Sequence, residues 1–412
     1  MLLFSSVFMP ENSKKVIIVG GGIAGCVLAL ALDKIGMKSE IFEARKIPED
    51  NVGLFHYLSS NAMNVYKVIG IHDKLKDLGY VCNGVIHYKE NGKQLARIDE
   101  KDSLKDYGAN SIMIKREFLT KILREEVISK QIPIHFGKKI NDITNIGKSN
   151  ITAHFEDGTS VEGNLLVGCD GIYSKTRSII FPNSPKPYYT KMVVTGGYTK
   201  TKITDKELNI IHSNYGKKGF LAYFIIPDSD DVWWWNGVSY PKEETREAIE
   251  KLSNEKWQQA MIEMYSEDSP VIQDIIKSNE INFFKYPISD MLSVDTWYKQ
   301  NVCLIGDAVH ATSPSNGQGA AMASEDGLML AKCLRDVDDI EQAFEKFQQS
   351  RQKRVEKIVK IGRTAGEGYL VTNPIKKWFR NTMIVVMLNS PFFGRMKDFF
   401  FGYTVEWDKK IK

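Results

Sequence analysis

The chain has 412 residues, of which 43% are hydrophobic and 26% charged, a composition typical of a globular protein with more than one packed unit. Its 55 basic and 51 acidic residues leave a net charge of only +4, which disfavours a nucleic-acid-binding protein. Five cysteines stand singly, without the spacing of a zinc site, so we expect no metal centre and a reducing, cytoplasmic environment. The first ten residues, MLLFSSVFMP, are apolar but lack the basic start of a signal peptide.

The first recognisable unit along the chain is a strand, helix, strand pattern in residues 14–45. The helical pattern begins at Ile23, and the second strand ends at Glu43. The turn before the helix has G-x-G-x-x-G spacing, with glycines at Gly20, Gly22 and Gly25. Such glycines allow a tight turn, the approach of a pyrophosphate and close helix packing, while an acid at the end of the second strand can bind a ribose. The unit therefore predicts a site for FAD or NAD and does not distinguish them.

Two more glycine-rich turns follow short apolar strands. LLVG at 165–168 precedes Asp170, and VCLI at 302–305 precedes GDAVHATSPSNGQG, which contains Asp307. A carboxylate at the carboxyl end of a parallel strand can bind a polyol such as a ribityl chain. The alanines after the last glycine would let a flat ring approach a helix start, whose N–H groups stabilise negative charge on a reduced flavin. A dehydrogenase that uses NAD needs no such element, so the sequence favours FAD.

These three motifs resemble those of the class A, single-component FAD-dependent aromatic monooxygenases. Two shorter stretches, GLFHYLSSNAMNVYKVIGI (53–71) and IKREFLTKIL (114–123), also resemble the family, and the similarity covers about residues 14–350. The resemblance implies the para-hydroxybenzoate hydroxylase-like α/β fold: a Rossmann-like FAD-binding domain, a mixed β-sheet substrate domain and C-terminal helices. The implied boundaries are 14–184 for the first part of the FAD-binding domain, with the hairpin 85–98 joining the substrate sheet, 185–290 for the substrate domain, 291–350 for the second part of the FAD-binding domain, and 351–412 for the C-terminal helices.

The resemblance also implies which residues bind FAD. They are Gly20, Gly22, Ile23, Ala24, Gly25, Glu43, Arg45, Arg116, Asp170, Arg177, Gly306, Asp307, Pro314, Gly317, Gln318, Gly319, Ala320 and Ala321. Among them, Asp307 is expected on the ribityl chain and residues 314–321 along the isoalloxazine. Asp170 and Arg177 are expected near the pyrophosphate, although Arg177 and Arg116 could instead form surface ion pairs. His310 is expected to be a packing residue near the flavin, and no catalytic side chain can be named.

Between residues 185 and 290 the pattern changes to short strands rich in β-branched and aromatic residues. Side chains alternate along a strand, so Trp233 and Trp235 share one face and Trp234 takes the other. We expect Trp235 and Phe224 in the substrate pocket, with packing of Trp235 in the core as the alternative. The strands show no evident carboxylate-binding arginine, which favours an apolar or polycyclic substrate over a small benzoate.

The resemblance implies an NAD(P)H-dependent monooxygenase that inserts one oxygen atom from O₂ into an aromatic, polycyclic or alkene substrate through a C4a-hydroperoxyflavin. FAD would be the bound cofactor, NAD(P)H the co-substrate, and the protein a monomer or homodimer. Two alternatives remain. One is an FAD-dependent reductase or dehydrogenase of the same fold, and the other is a non-catalytic FAD-binding redox sensor.

The last part of the chain is helical, basic and aromatic. Helical periodicity runs through 338–366, where the RQKR cluster at 351–354 is expected on a solvated helix face. The tail that follows is predicted to form a helical hairpin broken at NSP, 389–391, and packed on the body of the protein. Contact of this tail with a membrane surface is the alternative.

Overall fold

The structure is a computed structural model that describes residues 14–48, 53–278 and 284–411, apart from the side chain of Phe392. The predicted absence of a signal peptide concerns the first ten residues, which lie outside the described ranges. Within those ranges, none of the helices combines the length and apolar character needed to cross a bilayer.

The strands and helices have the following bounds. The strands are β1 (Lys15–Val19), β2 (Lys38–Glu43), β3 (Phe55–Leu58), β4 (Tyr80–Val81), β5 (Gly84–Lys89), β6 (Gln94–Asp99), β7 (Ile112–Lys115), β8 (Ile134–Phe136), β9 (Ile140–Thr144), β10 (Ile151–Phe155), β11 (Ser160–Gly163), β12 (Leu165–Gly168), β13 (Tyr188–Lys200), β14 (Ile211–Tyr215), β15 (Phe220–Ile225), β16 (Asp231–Ser239), β17 (Phe284–Asp290), β18 (Tyr298–Lys299) and β19 (Val302–Leu304). The helices are α1 (Ile23–Lys34), α2 (Ser60–Val68), α3 (His72–Leu78), α4 (Ser103–Tyr107), α5 (Arg116–Ser129), α6 (Lys175–Ile180), α7 (Arg246–Glu250), α8 (Asn254–Met264), α9 (Pro270–Lys277), α10 (Gly319–Asp336), α11 (Ile340–Tyr369), α12 (Pro374–Leu388) and α13 (Phe392–Phe401).

A six-stranded sheet in the order β18-β19-β12-β1-β2-β8 forms the centre of the FAD-binding part. Its pairs are parallel except for the β18–β19 pair. Strands β1, β12 and β19 are buried apolar runs, as expected for parallel strands covered on both faces. Val19 lies opposite Gly168, and Gly168 lies opposite Leu304. The carboxyl ends of these three strands are therefore level, and the turns that follow them meet at one edge of the sheet.

A seven-stranded sheet in the order β17-β13-β16-β15-β14-β5-β6 forms the second layer. It is mixed, because β14 and β5 run parallel while the other pairs are antiparallel. Trp234 packs with helices α8 and α9 on one face, and Trp233 packs on the opposite face with residues of β3 and β7. The tryptophan alternation predicted from the sequence is therefore present.

Helices α10 and α11 return the chain to the FAD-binding part, and α12 and α13 follow them. Helix α12 ends at Leu388 and α13 begins at Phe392, so the break lies at the predicted NSP sequence. The chain after α13 packs on the core of the FAD-binding part, where Val405 is buried and Trp407 and Ile411 are partly covered.

Candidate active site

The three predicted glycine motifs lie together in space. A Cβ atom added at Gly20 would overlap the backbone of Cys169, which precedes Asp170. A Cβ atom added at Gly306 would lie 3.1 Å from the Cβ of Ala24, at the start of α1. Because each of these contacts joins two of the motifs, the structure brings all three to one crevice at the carboxyl ends of β1, β12 and β19.

The first turn leaves open space where a phosphate group can approach. A Cβ at Gly25 would overlap the carbonyl oxygen of Gly20, whereas a Cβ at Gly22 would meet no atom within 4 Å. The carboxylate of Glu43 accepts hydrogen bonds from the backbone N–H of Gly21 at 2.7 Å and of Arg45 at 3.0 Å. The turn is therefore held by Glu43 and fits the pyrophosphate side of a dinucleotide.

Arg116 and Asp307 lie close enough for each to shift the pKa of the other. Arg116 is the first residue of α5, and a Cβ added at Gly53 would lie 2.7 Å from its Cδ atom. Burial lowers the pKa of Arg116, and the nearby charge of Arg45 acts in the same direction. Solvent reaches Asp307, yet the surrounding protein is dense enough that desolvation raises its pKa, against the influence of His310 and Arg116. The two arginines and the carboxylate are therefore near one another, and their contact with a dinucleotide stays a prediction.

Asp170 and Arg177 lie at the predicted edge of the six-stranded sheet, but their side chains form hydrogen bonds with other residues of the protein. The carboxylate of Asp170 accepts from the Ser174 hydroxyl at 2.5 Å and from the Thr176 backbone N–H at 2.9 Å. The buried guanidinium of Arg177 donates to the carbonyl oxygens of Ala308 and Ile172. Arg177 therefore ties the second motif to the third, and a contact of either residue with FAD stays a prediction.

The third motif is fixed by a buried carboxylate of α10. Asp326 accepts from the backbone N–H of Gly306 at 2.9 Å, and its Oδ2 atom lies 2.7 Å from Nε2 of His310. Burial alone would raise the pKa of Asp326, but His310 and Arg351 outweigh it and hold the pKa at about 2. His310 is fully buried in this contact, so its side chain holds the turn in place.

The prediction that RQKR at 351–354 lies on a solvated face is wrong for both arginines. Arg351 is 0% exposed and pairs with Asp326 at 2.7 Å and Glu325 at 2.6 Å. Arg354 pairs with Glu325 at 2.9 Å. The acids at the middle of α10 supply partners that make burial of these guanidinium groups possible, since an unpaired buried charge is costly.

The residues of 314–321 differ in their exposure to solvent. Ala321 is buried in the core, and only Ala320 of the two alanines is partly exposed. The side chain of Gln318 is buried and joins the first turn of α10 to α2, by accepting from Asn61 at 3.0 Å and donating to Ser59 at 3.1 Å. The remaining residues, Pro314, Gly317 and Gly319, are at least partly exposed. A contact of these alanines with a flat ring stays a prediction.

An aromatic cluster faces this loop from the seven-stranded sheet. The ring of Phe55, on β3, lies 5.5 Å from Trp235 and 5.4 Å from Trp233. Phe224 is fully buried in the same cluster, whereas Trp235 is partly exposed. Tyr198 donates a hydrogen bond to the carbonyl of Leu54 at 2.8 Å, which ties the sheet to the loop before β3.

Comparison with known proteins decides the family. The family described as FAD binding domain matches residues 13–361. The 6-hydroxynicotinate 3-monooxygenase of Pseudomonas fluorescens is 26% identical over 334 residues, covering 79% of this chain and 84% of that protein. The chain belongs to the class A FAD-dependent aromatic monooxygenases. The predicted family, α/β fold class and FAD cofactor are therefore confirmed.

Other relatives of this monooxygenase agree. The aurachin C monooxygenase/isomerase of Stigmatella aurantiaca is 26% identical over 330 residues, covering 77% of this chain and 80% of that protein. The structure of Klebsiella pneumoniae HpxO with FAD and uric acid has a TM-score of 0.83 and 19% identity, and covers 95% of this chain and 98% of that one. At this identity the likeness to HpxO shows the shared fold.

Sequence reasoning missed the polar network that supports this monooxygenase's crevice. Glu325 and Asp326 are acids within residues 319–331 of α10, which are otherwise small or apolar, and the next helix carries Arg351 and Arg354. Two acids on a buried helix, followed by two arginines on the next helix, could have predicted ion pairs between the two helices. Asn61, which donates to Glu325 at 2.6 Å, carried no comparable signal.

Proposed function

We propose that this monooxygenase uses NAD(P)H and O₂ to insert one oxygen atom into a flat aromatic or polycyclic substrate bound against the seven-stranded sheet. The observation that carries this proposal is a cavity of about 320 Å³ at the sheet face beside Ser313, the residue before Pro314. This volume is within the range of small-molecule sites. Met192 and Ser239 line the cavity and pair across β13 and β16, on the face that also carries Trp235.

The charges around the cavity support a neutral substrate. Arg363 lines the wall, but its guanidinium forms two hydrogen bonds with the buried carboxylate of Asp290, one of them at 2.9 Å. Its charge is therefore already compensated. Lys191 and Glu367 lie at the exposed rim, where water screens their opposite charges. Trp235 does not line the cavity itself, but a flat substrate that extends from the cavity along the same sheet face would reach its ring and stack on it.

The residues of the chain would hold the cofactor and the substrate and exclude water. Bound FAD would supply the redox chemistry, by taking two electrons from NAD(P)H and activating O₂. The first turn of α10 begins at Gly319, and its N–H groups and dipole favour negative charge near the flavin ring. Tyr369 donates to the carbonyl of Ser315 at 3.0 Å, which fixes the loop beside the cavity.

Turnover assays test this proposal. FAD-loaded protein is mixed with NADH or NADPH in aerated buffer together with 6-hydroxynicotinate, aurachin C or larger polycyclic phenols. We expect one class of compound to stimulate NAD(P)H oxidation and O₂ consumption, and mass spectrometry to find a product with one added oxygen atom. Oxidation of NAD(P)H without O₂ consumption would instead assign a reductase.

Paired tryptophan variants locate the substrate. Trp235→Ala should raise KM at least about tenfold with a smaller effect on kcat, because it removes stacking surface of the order of 2 kcal/mol. Trp257→Ala is the control, since Trp257 packs on the other face of the sheet. Equal KM values for the Trp235→Ala variant and the parent would place the substrate elsewhere.

We further propose a cytoplasmic location, with a monomer or a homodimer as the state in solution. All five cysteines are buried and free, which suits a reducing compartment. Light scattering of the purified protein measures its oligomeric state, and an assembly larger than a dimer would contradict the second part of this proposal.

A further inference from the structure

Helix α12 carries its larger apolar side chains on the side facing solvent. Six of them are between 44% and 77% exposed: Ile375, Trp378, Phe379, Met383, Val386 and Met387. Ile375, Phe379, Met383 and Val386 follow one another at intervals of three or four residues, and Trp378 and Met387 flank them, so the six form one face of the helix, here called the outer face. Exposed apolar patches with several large side chains are typical of surfaces that bind a protein or a membrane.

The opposite side of α12 is already occupied by the protein. Arg380 lies 4.7 Å from the ring centre of Tyr215 and donates to the carbonyl of Gly368. Ile384 packs on the aromatic cluster that contains Trp233 and Trp235. The helix is therefore held in place by its inner side, and the outer face is available to a partner.

The charge of this region points to an anionic partner. Residues 374–401 contain five basic residues and one acidic residue, a net charge of +4 that equals the net charge of the whole chain. Lys376 and Arg395 are exposed, the first within α12 and the second in α13, which follows it. Lys377 donates to the carbonyl of Lys217, so the basic turn of Lys217 and Lys218 also lies beside α12. The rest of the chain is electrically balanced.

We propose that the outer face of α12 binds the surface of an anionic lipid bilayer. An apolar stripe bordered by lysine and arginine is the arrangement with which helices lie at the membrane interface. The 15 residues of α12 span roughly 22 Å, less than the roughly 30 Å of a hydrocarbon core, so the helix lies on the bilayer. A second copy of the chain is a poorer partner, because a two-fold contact would bring two surfaces of like charge together.

This placement bears on the substrate, in a step that rests on the proposed function. The inner side of α12 touches the aromatic cluster through Ile384, so a protein bound by its outer face holds that cluster next to the lipid. A lipophilic polycyclic substrate could pass from the bilayer to the sheet without crossing bulk water. Vesicles should then lower the KM for lipophilic substrates and leave the KM for water-soluble ones unchanged.

Vesicle binding tests the proposal without turnover. Full-length FAD-loaded protein is sedimented with vesicles of phosphatidylcholine alone or of phosphatidylcholine with phosphatidylglycerol, at low and high salt. We expect binding only to the vesicles that contain phosphatidylglycerol, with weaker binding at high salt. The variant with Trp378→Ser and Phe379→Ser should bind at least about tenfold more weakly, and the variant with Lys376→Gln and Arg395→Gln about tenfold more weakly.

A matched control variant distinguishes binding by the outer face from nonspecific binding by other exposed apolar side chains. Ile47→Ser with Ile128→Ser removes two exposed apolar side chains outside α12 and should leave binding unchanged. Flavin absorbance of each variant confirms that it is folded. Equal binding by the serine variant of α12 and the parent overturns the proposal. So does a dimer in solution that the same variant dissociates, because it identifies a second copy as the partner.

Discussion

At the scale of single residues, Gly22 and Gly25 are members of one motif with different physical roles. A Cβ at Gly22 would enter open space, whereas a Cβ at Gly25 would overlap the backbone of Gly20. Gly22→Ala should therefore leave the melting temperature of the apoprotein unchanged and weaken FAD binding more than about tenfold, because the new methyl group occupies the approach of the pyrophosphate. Fluorescence titration with FAD and thermal melts of the apoprotein measure the two effects.

Two further glycines provide the controls for Gly22. Gly25→Ala should lower both the stability and the FAD affinity, since the turn itself must move. Gly394→Ala also adds a Cβ in open space, but in α13, and should change neither FAD affinity nor the fold. If Gly22→Ala binds FAD as tightly as the parent, the pyrophosphate does not approach this glycine.

Asp326 makes a pH-dependent contribution to stability. Its pKa falls from the ordinary 3.8 to about 2 in the folded protein, because His310 and Arg351 outweigh the effect of burial. Stabilisation from its ionised form is present above about pH 4 and is lost as the pH falls toward 2; this pKa difference corresponds to about 2 kcal/mol. Asp326→Asn should reduce the acid-induced loss of stability and lower the free energy of unfolding at neutral pH by about 3 kcal/mol.

Asp307→Asn is the matched control for Asp326. Desolvation raises the pKa of Asp307, so its ionisation opposes folding at neutral pH. The Asn variant should therefore raise the stability of the apoprotein slightly and weaken FAD binding. Urea unfolding at several pH values measures both variants. An unchanged pH profile for Asp326→Asn would show that this carboxylate does not titrate with folding.

At the scale of elements, the contact between α1 and α10 brings the first and third motifs together. A Cβ at Gly327 of α10 would lie 2.9 Å from the backbone nitrogen of Leu28 and 3.1 Å from the carbonyl oxygen of Ala24. Gly327→Ala should push the helices apart and destabilise the protein by about 1 to 3 kcal/mol, despite the higher helix propensity of alanine. Thermal melts and FAD titration measure the change.

Gly368, in α11, is the matched helical glycine. A Cβ there would meet only the Cδ of Arg380, at 3.9 Å, so Gly368→Ala should be neutral or stabilising by up to about 1 kcal/mol. If both alanine variants behaved alike, the close packing at Gly327 would not limit stability.

The sequence predicted elements whose signals are local. The strand before Gly20 and the turns at Asp170 and Asp307 could be placed because apolar runs and glycine spacing are readable over a few residues. Burial of Arg351 could not be read in this way, because its partner Asp326 lies on another helix and a run of charges is usually solvated. The side-chain direction of Gln318 likewise depends on α2, some 250 residues earlier in the chain.

At the scale of the whole molecule, α11 and the end of the chain connect parts that are distant in sequence. Arg351 pairs with the acid that holds Gly306, and the ring centre of Tyr403 lies 5.0 Å from its guanidinium carbon. Arg354 donates to the carbonyl of Phe399, in α13. The chain from Phe399 to Tyr403 thus contacts the arginines that support the third motif, while α12 presents its outer face to solvent.

Removing residues 403–412 tests whether the end of the chain supports the third motif. The truncation removes the Tyr403 ring that packs on the buried arginines, and it removes the buried side chain of Val405. It also removes the carbonyl of Glu406, which accepts a hydrogen bond from Lys332. We expect the free energy of unfolding to fall by about 2 to 4 kcal/mol and FAD to bind more weakly, because apolar core and paired charge become exposed.

The serine variant of Trp378 and Phe379 is the control and should keep the parent stability. Since truncation would disturb the fold, only such point variants can report on the outer face. If the truncated chain melts at the parent temperature, the end of the chain plays no part in supporting the crevice.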